Sequence, residues 1–559
     1  MPKTENPRLL AIELENFQSI KDRTRIELTP LTFFFGPNSA GKSAILDAIT
    51  LMQCFWDIQN RHEELLTYIE RWQRKDTGYM YLSIEMDTVI GDQEEMMEFF
   101  EMFTPYYQDL ASGFVCWDES DDFVRYEQEG ILPTLKLELW VFSPPPGSFM
   151  DDGRLNYHCA ISIDNQTVNC MGRADGIDIE PYKLGEDFTI NYEGAKKDIR
   201  DIIGYAWPFS INPSYHDGLL ISYLTTSIPF PTIDYSKGDY HSVFTIDDMN
   251  FAKFLYASEK ALSHQFGNML HQVGNPCKSL YYAFLCLNMT LKGFKGNVSG
   301  KREYIKQLDE FIETEDLKNS PFRSIYNEIN TLGAKKLGRY IYGISEPKLP
   351  ELHRMPNGMS YLDNINSILN SELYIDKGYQ ISGISEISFG IDISQNTDEW
   401  ETVSHKTKLT LLDSDNTKIE FKDVGDGIAY SLPVIISSTF HLHNNLFVQQ
   451  PEIHLHPALQ LRVADILLKD LTLKTNTMII ETHSEHIILR VLRRIKETNT
   501  KKEKAVYPVT NEQVSCYYFK PNIDGGTEVT RQYITPDGDF MFDWPDGFFN
   551  EREYELFND

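Results

Sequence analysis

Residues 36–43 read Gly36-Pro37-Asn38-Ser39-Ala40-Gly41-Lys42-Ser43, a complete GxxxxGK[ST] motif. No other stretch of the chain limits the fold so narrowly. Leu31–Phe35, just before it, is a compact apolar run of β-favouring residues, and Ile45, Leu46, Ile49 and Met52, just after it, recur at helical spacing. The expected local structure is strand, glycine-rich loop, helix. Glycines allow the backbone to curl into a nest whose N–H groups face phosphate oxygens, where side chains would collide. Lys42 can reach the β- and γ-phosphates as a mobile point charge, and the Ser43 hydroxyl can ligate Mg²⁺. The positive end of the following helix dipole adds to the attraction. A chance glycine turn is the alternative, and the strand–loop–helix setting argues against it.

The rest of the chain is patterned to suit. Of 559 residues, 41% are hydrophobic and 13% aromatic, enough for a sizeable core and too apolar for a disordered chain. The length is compatible with roughly three to four domains, or one large domain with insertions. Leu9–Leu14 and Thr24–Leu28 alternate as strands, and short β-like pieces (79–84, 135–142, 157–163) recur between acidic and Pro/Gly-rich loops. Pro144-Pro145-Pro146-Gly147 marks a surface turn. The stretches 251–269, 277–291 and 304–312 read as amphipathic helices, and 381–421 returns to alternating strands. From Leu446 to Phe519 the pattern is strand, helix, strand, helix, strand, the sign of a parallel α/β sheet. The tail aromatics Phe540, Phe542, Trp544, Phe548 and Phe549 suggest a packed ending. Three regions follow: 1–245 with the glycine-rich loop and a β-rich lobe, 246–380 as a helical insertion, and 381–559 as the C-terminal α/β part.

With 52 Lys+Arg against 83 Asp+Glu, the formal net charge is −31, a surface that repels nucleic-acid backbones and anionic lipid. The N-terminus lacks a signal-peptide pattern, and no apolar run approaches the roughly 18 residues of a membrane span. Seven scattered cysteines with no CxxC indicate neither a disulfide framework nor a zinc knuckle. The expectation is a soluble, cytoplasmic protein with no membrane partner.

Several segments together resemble a known class. Asn16-Phe17, the run Leu31–Phe35 and GPNSAGKSAILDAI look like the opening of the ABC-type ATPase heads of the SMC, RecF and overcoming-lysogenization-defect class. VGDGIAYSLPVI (424–435) is similar to its signature segment, with Gly425, Gly427 and Ala429 at the signature-like positions. VQQPEIHLHPALQ (448–460) sits where the Walker B strand and D-loop would be, and IIETHSEHIILRVLRRI (479–495) resembles the strand and helix that carry a switch histidine, here His483. The ending GDFMFDWPDGFFNERE (538–553) resembles a prokaryotic subgroup with a WPxGFF tail. That subgroup includes the PtuA family, the ATP-binding component of Septu-type and retron-linked antiphage systems. The resemblance implies an α/β P-loop head of ABC-ATPase type, built from N- and C-terminal segments, with a mixed β-rich and helical insertion between them. It implies ATP and Mg²⁺ as cofactors, and a homodimer or higher homo-oligomer in which each ATP lies between one chain's P-loop and the other's signature. It further implies a separate HNH-type nuclease subunit as partner and, in retron-linked systems, a reverse transcriptase with its RNA–DNA product.

The departures from the class are informative. Its two adjacent Walker B carboxylates, one for Mg²⁺ and one for the attacking water, are replaced here by Gln449 and Gln450. A glutamine can hold a water but can neither accept its proton nor bring charge to the metal. Ala429 stands at the apparent signature serine, and Gln18 where an arginine is common. Two readings stay open: ATP binding is itself the signal and hydrolysis is slow, or Glu452 supplies the carboxylate by a shift of register. His483 is the candidate γ-phosphate contact, with a capping or packing role as the alternative. His454 with His456, and His483 with His486, lack the third convergent ligand that a zinc site needs.

Arg490, Arg493, Arg494, Lys496, Lys501, Lys502 and Lys504 form the one concentrated basic stretch, read as a solvated helix end or, alternatively, a docking surface. The leading functional expectation is an ATP-binding, weakly hydrolysing or non-hydrolysing subunit that dimerises and regulates a partner nuclease in antiphage defence. A RecF-like DNA-repair or chromosome-maintenance ATPase with DNA-stimulated hydrolysis is the alternative. A scaffold merely stabilised by nucleotide, and a small-molecule kinase, are weaker readings.

Overall fold

The chain opens with two strands of alternating burial, β1 (Leu9–Glu15) and β2 (Thr24–Glu27), followed by β3 (Leu31–Phe35), which is buried at every position. A strand so enclosed must have neighbours on both edges and cover on both faces. The structure, a computed structural model, describes residues 7–56, 58–74, 77–87, 134–142, 155–163, 166–174, 243–245, 290–291, 294–298, 312–313, 322, 325–326, 328–329, 359–391, 400–440, 445–469, 471 and 477–542.

After β3 come α1 (Ala44–Trp56) and α2 (Ile58–Trp72), then β4 (Tyr79–Met86), β5 (Leu135–Phe142), β6 (Leu155–Ile163), β7 (Gln166–Ala174) and β8 (Val243–Thr245). These strands extend the β1–β2 hairpin into an antiparallel sheet of order β2-β1-β4-β5-β6-β7-β8. Further on lie β9 (Lys295–Val298), β10 (Ile312–Glu313), α3 (Tyr361–Ile368), β11 (Gln380–Ile391), β12 (Trp400–Leu412) and β13 (Lys418–Ile419). Of these, β10 to β13 except for α3 form a second antiparallel sheet around the long β11–β12 pair.

The C-terminal segment supplies α4 (Asp426–Phe440), β14 (Leu446–Gln449), α5 (Pro457–Leu468), β15 (Met478–Glu481), α6 (Glu485–Lys501), β16 (Val514–Pro521) and β17 (Thr527–Gln532). The third sheet, of order β17-β16-β3-β15-β14-β9, is parallel except for β17. Its centre joins the two ends of the sequence, with Phe33 of β3 in register with Ile480 on one side and Cys516 on the other.

One core cluster takes Leu31, Phe33 and Phe35 together with residues of α4, α5, α6, β14, β15 and β16. Removing such a phenyl ring would cost about 3–5 kcal/mol. The antiparallel sheet is stitched on by Asn445, whose Oδ1 accepts from the N–H groups of Leu9 and Thr477 and whose Nδ2 donates to Pro7 O.

The strands anticipated at the two ends of the chain are present. In the stretch expected to be helical, however, Lys295–Val298 joins the edge of the parallel sheet beside β14, and Ile312–Glu313 pairs with Thr407 and Lys406 of β12. Long-range strand pairing decides these short pieces against their local pattern. Thr290 and Leu291 are helical as expected. Residues 251–269, most of 277–291, 304–311, the Pro144–Gly147 turn and the WPxGFF tail lie outside the described residues.

Candidate functional site

The glycine-rich loop leaves the carboxyl end of β3, the edge of a parallel sheet where ligands collect in folds of this type. Two glycines are there of necessity. Gly36 has φ 141°, and a Cβ on it would lie 2.3 Å from the Phe519 carbonyl oxygen of adjacent β16. Gly41 has φ 88°, and a Cβ there would lie 2.3 Å from Ser19 Oγ and 2.9 Å from Thr527 Oγ1. Thr527 Oγ1 donates to Ala40 O and pairs with Ser19 Oγ, tying the loop to β17 and to the segment after β1. Ser39 adds a third left-handed residue (φ 61°). Pro37 is half-buried, Asn38, Ser39 and Ser43 are exposed, and Ala40 is buried.

The Lys42 side chain is almost wholly enclosed and folds back over the loop, donating to Gly36 O at 3.1 Å and Pro37 O at 2.8 Å. Burial lowers its pKa, while the charges of Glu481 and Glu452 pull the other way. The ammonium is thus held among the loop's own carbonyl oxygens, weak partners that a phosphate can replace. In the first turn of α1, Asp47 Oδ2 accepts from Gln18 Nε2 at 2.7 Å. Gln18, at the position where an arginine is common, therefore braces the helix that follows the loop.

β14 ends at Gln449 and β15 at Glu481, and the two are register partners. Gln449 Nε2 donates to Glu481 Oε2 across a long 3.4 Å. Glu481 went unremarked in the sequence. Its signal was there: a carboxylate closing the four-residue buried strand Met478–Glu481, two residues before His483. Burial raises its pKa, against the attraction of Lys42 and the Gln449 hydrogen bond. Gln450 is left-handed (φ 46°), and its N–H donates to Glu481 O at 2.8 Å.

Glu452 is drawn into the next turn. Its carboxylate accepts from Thr482 Oγ1 at 2.9 Å and from the His483 N–H at 2.7 Å. Burial raises its pKa further than these hydrogen bonds lower it. Thr482 Oγ1 accepts from the Ser484 N–H, and Ser484 caps α6 by accepting from the Ile487 N–H while its hydroxyl donates to Gln460 of α5. The backbone at His483 is thereby fixed from both sides. The half-buried His483 imidazole has its pKa lowered by burial and by the Lys42 charge, so it is neutral near pH 7 and has one N–H to donate.

His456 is a helix cap, its Nδ1 accepting from the Ala458 N–H at 3.2 Å, and His454 lies 4.7 Å from the Tyr430 ring. Among the described residues no group of three or more His, Cys, Asp or Glu side chains could hold a metal. A cation at this edge needs phosphate oxygens to complete its shell. The Ser43 hydroxyl, the Gln449 amide oxygen and the Glu481 carboxylate are all hard oxygen donors of the kind Mg²⁺ takes, so the residues fit the ion.

The signature-like residues divide. Ala429 is buried in the core cluster, so a hydroxyl at 429 would point inward. Helical spacing from the exposed N-terminus of α4 turns that position to the core. Gly425 is exposed, with nothing among the described residues within 4 Å of where its Cβ would be, and Gly427 is half-buried beside His454 O. Of the three signature-like residues, Gly425 and Gly427 are the ones with surface to offer another molecule.

The basic stretch is largely paired. Arg490 and Arg494 both clamp the buried Asp465, while Arg493 and Lys501 approach Glu497. No helix among the described residues is long and apolar enough to cross a membrane.

A family model described as an AAA domain matches residues 11–85 and so includes β1, β3, the loop and α1. None of the curated proteins matches. Among solved structures, the SMC head bound to the C-terminal winged-helix domain of ScpA is similar at 10% identity and TM-score 0.39, covering 94% of this chain and 98% of that one. The SMC head domain from Thermotoga maritima gives 9% identity and TM-score 0.32, with coverage of 94% and 98%. The recombination mediator protein RecF gives 13% identity and TM-score 0.28, with coverage of 95% and 100%. The fold itself is α/β, with the GxxxxGK[ST] loop following an inner strand of a parallel sheet that the C-terminal segment completes.

Proposed function

We propose that this chain is an ABC-type ATP-binding subunit that pairs with a second copy around ATP and regulates a separate HNH-type nuclease in antiphage defence. The observation that carries the ATP reading is the cradle itself, in which Gly36 and Gly41 leave no room for side chains and the hydrogen-bond partners of buried Lys42, among the described residues, are loop carbonyls. On binding, Lys42 exchanges those carbonyls for phosphate oxygens, and the loop N–H groups turn to the same anion. Ser43 and Gln449 would hold Mg²⁺, which neutralises phosphate charge when bound. The neutral His483 imidazole donates to the terminal phosphate. Gln450 can orient a water but cannot take its proton, and Glu452 is committed to Thr482 and the His483 backbone. Slow turnover follows, with the bound state as the signal. The exposed Gly425 end of α4 is where a second chain would meet the nucleotide. The defence role is supported by the likeness of residues 538–553 to the WPxGFF subgroup and by a net charge of −31, which suits a regulator that does not itself grip nucleic acid.

Light scattering with and without ATP, alongside phosphate release, tests this reading. An ATP-dependent dimer with weak turnover, absent in Lys42→Ala, is expected. A monomer at saturating ATP, or brisk turnover abolished by Glu452→Gln, contradicts it. The pair of buried carboxylates, Glu452 and Glu481, whose charges act on Lys42, favours a second reading: a RecF-like ATPase stimulated by DNA. A large acceleration of phosphate release by duplex DNA would select it.

A further inference from the structure

We propose that Glu481 is the carboxylate ligand of the nucleotide's Mg²⁺, supplying from β15 the charge that Gln449 on β14 cannot bring. This rests on the ATP reading above and gives the missing carboxylate's role at the metal to a residue other than Glu452, the one a register shift in the sequence would supply.

Placement is the first support. Gln449 and Glu481 are register partners at the carboxyl ends of adjacent parallel strands, and Glu481 is also in register with Phe34, two residues before Gly36. Val448 and Ile480 belong to the core cluster. By strand alternation Gln449 and Glu481 therefore share the opposite face. Moving a carboxylate from one of these strands to the next shifts it by about 4.8 Å, a distance that one side chain spans.

Partnering is the second. Glu481 is only 5% exposed, yet among the described residues its one side-chain hydrogen bond is the 3.4 Å contact from Gln449. Lys42 lies close enough for its charge to be felt but gives its hydrogen bonds to Gly36 O and Pro37 O. A buried carboxylate so poorly supplied with donors is expensive to maintain. A divalent cation is the partner that would relieve it, and Mg²⁺ in nucleotide sites takes one or two carboxylates with the phosphates. Glu452, by contrast, accepts one hydrogen bond on each oxygen, from Thr482 Oγ1 and from the His483 N–H.

The test separates metal from nucleotide. A fluorescent non-hydrolysable ATP analogue is titrated against the full chain in EDTA and in Mg²⁺. Wild type should tighten by about tenfold or more with Mg²⁺, while Glu481→Gln should match it in EDTA and gain less than about threefold from the metal. The double variant Gln449→Asp/Glu481→Gln, which restores the carboxylate on β14, should recover the gain. A full Mg²⁺ gain in Glu481→Gln overturns the proposal. No analogue binding by wild type in either buffer overturns the ATP reading beneath it. Should Glu481→Gln fail to fold, the Glu452→Gln protein carrying ¹³C-carboxyl glutamate is examined by pulsed EPR with Mn²⁺ and the analogue. A ligand-range ¹³C coupling supports Glu481 as ligand, and its absence overturns it.

Discussion

Gly36 and Gly41 are both left-handed and both crowded, but the crowding differs in kind. Alanine at 36 meets a backbone carbonyl of a paired strand, whereas alanine at 41 meets two hydroxyls that can rotate away. Gly525, with φ 77° and nothing among the described residues within 4 Å of a Cβ, isolates the conformational cost alone. Urea unfolding should rank the losses as Gly36→Ala above about 3 kcal/mol, Gly41→Ala about 2 and Gly525→Ala about 1. Any other order contradicts the tight approach of β16 to the loop. The buried carboxylates give a pH signature. Their pKa values are raised, so between the ordinary carboxylate range and those raised values the native state binds more protons than the unfolded chain. Stability therefore falls as pH rises through that window. Glu481→Gln should raise the thermal midpoint of the nucleotide-free protein at pH 7 and flatten its dependence on pH. An unchanged midpoint and slope would show that the Glu481 carboxylate is better solvated than its burial implies.

At the scale of elements, α5 and α6 are held by the clamp of Arg490 and Arg494 on Asp465, with the side chain of Asp465 only 9% exposed. Asp465→Ala takes the shared acceptor from Arg490 and Arg494, leaving Arg494 its bond to Glu497, and should cost about 3 kcal/mol in urea unfolding. Charge reversal at Lys502 and Lys504, which point to solvent, should stay within about 0.5 kcal/mol. This clamp also explains what could be read in advance. β3, α1, β14, β15 and β16 were legible because each is a local apolar pattern bounded by a motif. The strand character of Lys295–Val298 was not, since it exists only through its pairing with β14. Nor was the pairing of the arginines, whose acceptor lies on a different helix. The role of Glu481 is not legible locally, because the strand whose carboxylates are replaced ends at Gln449 and its neighbour in space stands 32 residues later.

At the scale of the molecule, the proposed association would bring together two chains that each carry a net charge of −31. Their repulsion is screened by salt, so the ATP-dependent dimer should strengthen as ionic strength rises from about 0.01 to 0.15 M. Light scattering at the two salt levels measures this, and weakening with salt would point to attractive charge pairs at the interface instead. Gly425→Glu, with open space around it, should leave stability within about 0.5 kcal/mol and yet abolish the dimer. The central position of β3 has a consequence during synthesis. Its two strand partners, β15 and β16, begin at residues 478 and 514, so Phe33–Phe35 emerge from the ribosome about 440 residues before anything can flank them. At about 5–20 residues per second that is a wait of roughly 20–90 s for three consecutive phenylalanines. A nascent chain halted before β15 lacks Glu481 and His483, so the proposed nucleotide capture would report that translation has passed that strand.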